Sequence, residues 1–152
     1  MGDMDKILDN LRRQCSRREY CSGDILKKAS KALDGDTEQA VKVLGTLIRE
    51  KYVDDLRYAS AFARDKSSIA GWGEVKIRYM LSSKGIDRDT ISKAMEEIDV
   101  RKADDRLKKL MENKYKSLKE DPQCKLKLLR FALGRGYSYD EVSAVLNELR
   151  VL

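Results

Sequence analysis

The sequence predicts an all-α protein: three tandem three-helix repeats stacked into an elongated, curved array. Three observations lead there. The chain holds one proline in 152 residues, Pro122, and is rich in Lys, Glu, Leu, Ala and Arg, a composition that favours helix over sheet. The segments Glu74–Ile98 and Lys125–Leu149 align without a gap, so that Gly85 falls on Gly136, 51 residues on. Within both, apolar residues recur at i, i+3, i+4 and i+7, which is one face of a helix.

Each repeat reads as helix A, helix B and helix C. The expected first repeat, 1–52, opens with a helix carrying Ile7, Leu8 and Leu11. Its helix B, Asp24–Leu33, aligns with the later repeats only after a slip of about one residue. Its helix C is secure: Ala40, Val43, Leu44 and Leu47 repeat the later apolar face, and Asp36 with Gln39 resembles a capping pair. The second repeat, 53–99, starts at a cap on Asp54 or Asp55 and presents Tyr58, Ala59 and Phe62. Its helix B takes Val75 and Ile77 as core positions, with Met80 further on, and stops at Gly85, where φ turns positive at little cost only for glycine. Asp87 then caps helix C, which carries Ile91, Ala94, Met95 and Ile98. The third repeat, 100–152, has Leu107, Leu110 and Met111, then a polar loop around Lys119–Pro122, then Leu126, Leu128 and Phe131. Gly136 stops that helix, Ser138 with Glu141 forms an S-x-x-E capping box, and Val142, Val145, Leu146 and Leu149 complete the unit. One such unit buries little apolar surface alone, so stacking neighbours is expected to extend the core.

Charged residues make up 38% of the chain, against roughly 25% in an average globular protein. Much surface and a thin core follow. Net charge is +6, and Arg101–Arg135 alone carries twelve Lys/Arg against five Asp/Glu, more than the whole surplus. A positive field of this kind attracts phosphate or an acidic protein surface, with affinity falling as salt rises. Cys15, Cys21 and Cys124 have no CxxC spacing, and there is no histidine, so a closed zinc site is not expected. The cysteines are expected to pack as small hydrophobes. The acidic start MGDMDKILDN has no apolar core of a signal peptide, and no run approaches the roughly 18 apolar residues that span a membrane. A soluble protein of the reducing cytoplasm, without membrane contact and monomeric, is the expectation.

Catalysis is not expected. Without histidine the usual general base near neutral pH is missing, and there is no phosphate-binding GxxxxGK[ST] loop. The carboxylate pairs Asp54-Asp55 and Asp104-Asp105 read as capping and first-turn residues, and Glu96-Glu97 as part of a charged face. Function is expected on the basic residues. In the middle repeat these are Arg57, Arg64 and Lys66 on helix A, Lys76 and Arg78 on helix B, and Lys84 and Arg88 beside the B–C turn. In the third repeat they are Lys108, Lys109, Lys125, Lys127, Arg130 and Arg135. Trp72, between Gly71 and Gly73, is expected to pack under a turn between helices A and B, with shaping of a partner surface as the alternative. Tyr115, Tyr137 and Tyr139 offer rings for stacking on bases, although Tyr137 replaces Ile86 in the repeat and is expected to plug the B–C turn.

The ordered set Tyr52-Val-Asp-Asp-Leu-Arg-Tyr-Ala59, Gly71-Trp-Gly73, Ile77, Leu81, Lys84-Gly-Ile86 and Arg135-Gly-Tyr137 resembles the signature of the RecX family of recombination regulators. Ser16-Arg-Arg-Glu-Tyr20 with Leu26 is a looser match to the family's N-terminal motif. The resemblance runs from about Ile7 to Leu149. It implies a cytoplasmic protein that binds the RecA recombinase polymerised on single-stranded DNA and curbs its ATP hydrolysis, strand exchange and stimulation of repressor self-cleavage, and so acts in homologous recombination, DNA repair and the SOS response. It implies no enzymatic activity and no cofactor, and in some members direct DNA binding. Two other readings stay open: a helical protein that binds single-stranded DNA itself, and an adaptor for another protein.

Overall fold

A computed structural model describes residues 2–149. Met1 and the last three residues, which the expected first and third repeats include, lie outside the described residues. Among the described residues there are nine helices and no strand. They are α1 (Gly2–Arg17), α2 (Ser22–Ala32), α3 (Thr37–Arg49), α4 (Asp55–Ser68), α5 (Glu74–Ser83), α6 (Arg88–Met95), α7 (Val100–Leu118), α8 (Cys124–Gly134) and α9 (Tyr139–Glu148). None is long and apolar enough to cross a membrane.

Local chemistry sets most helix ends as the sequence dictates. Asp36 accepts from the Gln39 amide at 3.1 Å, and Asp87 from the Thr90 amide at 2.8 Å. Ser138 and Glu141 close both halves of their capping box. Gly85 and Gly136 take φ of 82° and 96° after α5 and α8. The Asp54-Asp55 pair divides its work. Asp54 caps its own helix by accepting from the Arg57 amide at 3.0 Å, and Asp55 accepts from the Ser22 amide at 2.7 Å, capping α2, where Cys21 supplies no side-chain cap. The Asp104-Asp105 expectation needs correcting. Asp99 caps α7 through the Lys102 amide at 3.2 Å, which moves Asp104 and Asp105 into the second turn.

The chain resolves into two compact units, Met1–Ala61 with Leu81–Ala94, and Phe62–Met80 with Met95–Leu152. The core of the first includes Leu11, Ile25, Ala29, Ala40, Val43, Leu47 and Val53. The core of the second includes Leu107, Met111, Leu128, Ala132, Tyr137, Val142, Val145 and Leu146. Cys21 and Cys124 are buried and Cys15 half-buried, with all three thiols free. The repeat is visible in what is buried. In helix C, Ala40, Ile91 and Val142 are equivalent and buried, as are Val43, Ala94 and Val145. In helix B, the buried pairs are Ile25/Ala29, Ile77/Leu81 and Leu128/Ala132, so the first repeat is indeed offset by one residue. Val75 is a correction: expected in the core, it is 54% exposed, as its equivalent Leu126 is at 41%. Residues two apart face nearly opposite sides of a helix, so burying Ile77 turns Val75 outward.

Helix B of one repeat also sits against a B–C turn of the next. In the first unit, a Cβ on Gly23 would lie 2.8 Å from the Lys84 carbonyl oxygen. In the second unit, the Gly73 amide donates to the Arg135 carbonyl at 2.8 Å and the Val75 amide to the Gly136 carbonyl at 2.9 Å. These bonds satisfy the open amides at the start of α5 with the open carbonyls at the end of α8.

Candidate partner-binding surface

The thirteen basic residues that the sequence singles out fall into three groups. Six are held by carboxylates. Arg57 pairs with Glu19 at 2.6 Å and also donates to the carbonyls of Lys51 and Tyr52, so it ties the chain before α4. Its hydrogen bond to Glu19 raises its pKa further. Lys84 reaches Asp24 at 3.2 Å across sixty residues of chain, inside the first unit. Burial pushes the Asp24 pKa up, but hydrogen bonds from Cys21 and Lys84 outweigh it and hold the carboxyl below its ordinary value. Arg64 pairs with Glu97, Arg78 with Glu74, Lys108 with Glu148 and Lys127 with Asp121, at 3.7, 2.8, 3.2 and 2.6 Å. Exposed pairs of this kind contribute little to stability, but they lower the charge presented to a partner.

Four others, Arg88, Lys109, Lys125 and Arg130, are exposed and make no ion pair among the described residues. Lys109, Lys125 and Arg130 belong to α7 and α8 of the second unit.

The remaining three lie against aromatic rings. The Lys66 and Lys76 ammonium nitrogens are 4.7 and 4.3 Å from the centroid of the half-buried Trp72 ring, which meets Phe62 edge-on at 6.1 Å. Arg135 lies 5.2 Å from the Phe131 centroid, and Lys114 5.3 Å from the same ring. A third ring, Tyr20, has Arg18 at 4.7 Å and Lys28 at 4.9 Å. Arg18, Lys28 and Lys114 are absent from the expected set. The signal that points to the first two is Tyr20 itself, which stands before Trp72 by the same 52 residues that relate Ile25 to Ile77.

Trp72 does not simply pack under its turn. It lines an open cavity of about 130 Å³ in the second unit, with Met95, Ile98, Ala103, Asp104 and Glu141 among the walls. Tyr137 does plug the B–C turn: it is 3% exposed and its hydroxyl donates to the Gly71 carbonyl at 3.0 Å. Burial raises its pKa. Tyr139 is exposed and Tyr115 packs on the core. No cluster of three or more carboxylate and thiol groups suited to a metal ion occurs among the described residues.

Comparison with known proteins agrees with this architecture. The family model "RecX, second three-helix domain" matches residues 54–95, and "RecX, third three-helix domain" matches residues 103–146. A regulatory protein RecX of Clostridium tetani is 32% identical over 146 residues, covering 85% of this chain and 67% of that protein. One from Pectobacterium atrosepticum is 30% identical over 137 residues, covering 89% and 83%. One from Clostridium botulinum (strain Eklund 17B) is 34% identical, but the chain spans only 54% of its length. The crystal structure of RecX from Lactobacillus salivarius shares the fold, with a TM-score of 0.83 over 99% of each chain at 20% identity. A second crystal structure of a regulatory protein RecX gives 0.84 over 95% of this chain and 72% of that one, at 22% identity. Two domains matched in order, and relatives at 30% identity or more over most of the chain, place this protein in the RecX family.

Proposed function

We propose that this RecX-family chain is a regulator of the RecA recombinase, which it binds as the filament on single-stranded DNA and holds back in ATP hydrolysis, strand exchange and repressor self-cleavage. On this reading it acts in the cytoplasm as a monomer, without a cofactor, in recombination and the SOS response. The three repeats, 1–52, 53–99 and 100–152, are its binding modules. The observation that carries the reading is the family match over the second and third three-helix domains, to relatives named as regulatory proteins. The exposed Lys109, Lys125 and Arg130 on α7 and α8, which make no ion pair among the described residues, support it, since a long anionic partner needs cations not already neutralised at home. The paired residues Arg57, Arg64, Arg78, Lys84, Lys108 and Lys127 serve that surface less, because a partner must first displace a carboxylate.

The test is RecA ATP hydrolysis on single-stranded DNA with and without the protein. Inhibition that saturates with protein and weakens with salt is expected. No change in hydrolysis, at protein in excess over RecA and in low salt, rules the reading out. Any filament state that the protein binds better than the others is the state it populates, so electron microscopy of the inhibited mixture tells a locked filament from a shortened one.

A further inference from the structure

Among the described residues, the seven cations found in ion pairs and the six found against aromatic rings are disjoint sets. We infer that Trp72, Lys66 and Lys76 form a subsite for single-stranded nucleic acid, in which the two ammonium groups take a backbone phosphate and the indole meets the adjoining base. The inference rests on the nucleic-acid side of the proposed function and assigns it to specific residues.

Both ammonium nitrogens lie within 5 Å of one ring centroid, at 4.7 and 4.3 Å. They are therefore no more than about 9 Å apart, close to a Debye length at physiological salt, and neither meets a carboxylate among the described residues. Both side chains are half-buried, so neither is simply spread into water. Of the three carboxylates that line the cavity with Trp72, Glu74 holds Arg78 at 2.8 Å and Glu141 accepts from the Ser138 amide at 2.9 Å, while Asp104 is exposed and makes no ion pair with either lysine among the described residues. Two like charges gathered on one ring, with neither in an ion pair among the described residues, make a place for an anion.

A related arrangement occurs in the first repeat. Tyr20 precedes α2 as Trp72 precedes α5, and it too carries two cations, Arg18 and Lys28, neither in an ion pair among the described residues. Only the ring keeps the repeat spacing, since 52 residues on from Arg18 and Lys28 stand Ala70 and Met80; what recurs is an aromatic residue ahead of helix B with two cations against it. The ring decides between anions. An acidic peptide would use the lysines and leave the indole idle. A single strand uses both, phosphate on cation and base on ring. On binding, the ammonium groups exchange the ring for the phosphate, and the released indole face is open to the base.

Trp72 is the only tryptophan of the chain, so its emission reports on this subsite alone. The experiment titrates the full chain with a thymidine homopolymer of about fifteen nucleotides, following Trp72 emission together with the anisotropy of a labelled strand. Quenching that tracks binding is expected. The double variant Lys66→Gln/Lys76→Gln should bind at least tenfold more weakly, with the salt slope smaller by about 0.7 for each phosphate that the variant no longer neutralises. The charge-keeping variant Lys66→Arg/Lys76→Arg should bind as the parent does, and circular dichroism checks the fold of both. Binding without any change in Trp72 emission, or equal affinity and slope in the Gln variant, overturns the inference. So does an equal emission response to polyglutamate of matched charge. If Trp72 responds but RecA hydrolysis is unaffected, the proposed function fails and the subsite stands; inhibition of RecA by a chain that ignores the homopolymer has the opposite meaning.

Discussion

Substituting Gly73 by alanine tests the packing of α5 on the turn after α8. Gly73 is buried, and a Cβ built on it would overlap the Gly136 carbonyl group and the Tyr137 amide nitrogen. All of these are backbone atoms, so no side chain can swing away to make room. The start of α5 has to lift, and with it go the bonds from the Gly73 amide to Arg135 and from the Val75 amide to Gly136. Each is worth about 1 kcal/mol net, giving about 2 kcal/mol. Alanine returns about 0.4–1 kcal/mol by restricting the unfolded chain, and displacement of Tyr137 from its bond to Gly71 adds a loss of similar size. A net cost of about 2 kcal/mol in a chain of this length lowers Tm by about 4–8 °C.

The assay is thermal unfolding followed by circular dichroism, with Gly45→Ala as the matched control. Gly45 lies inside α3, and its added Cβ would meet only the Arg49 side chain at 3.6 Å, an ordinary van der Waals distance. That substitution should stabilise by about 0.5–1 kcal/mol. A Gly73→Ala protein that melts within a degree of the parent would refute the account of how α5 is seated.

Asp55→Ala removes the cap that α2 receives from another helix and should cost about 1 kcal/mol, read as a lower Tm; a neutral result would mean that the Ser22 amide finds water as good. Asp24, Asp87 and Asp121 all have folded pKa values below their ordinary ones. Their contribution to stability is therefore complete above an unfolded pKa of about 3.9 and is lost as pH falls through the lower folded values. With no histidine to titrate, Tm should be nearly level from pH 5 to 7 and drop below about pH 4; a midpoint near pH 6 would contradict this. Lys125→Glu with Arg130→Glu should weaken inhibition of RecA ATP hydrolysis at least several-fold with helicity unchanged, whereas Lys127→Glu, which faces Asp121 at 2.6 Å, should act partly through the local structure and lower Tm as well.

What could be read from the sequence was decided within a few residues of chain. Ser138 with Glu141, Asp36 with Gln39, and the positive φ of Gly85 and Gly136 are local chemistry, and each is where the pattern puts it. The repeat also revealed the buried face of helix C, because three copies share one phase. Helix B was harder, because Val75 and Ile77 are both apolar and stand on opposite sides of a short helix; only a neighbour decides which is buried. The site suffered from the same limit. Lys84 and Lys125 look alike in sequence, yet Asp24, sixty positions away, holds the first, and no carboxylate among the described residues holds the second. A partner-binding surface made of cations is set by which of them the fold leaves unpaired, and that depends on residues distant in the chain. Lys84 within Lys84-Gly85-Ile86 is a tie that holds a turn against α2. Its loss should be felt first in stability, while binding should be most sensitive at Lys125 and Arg130.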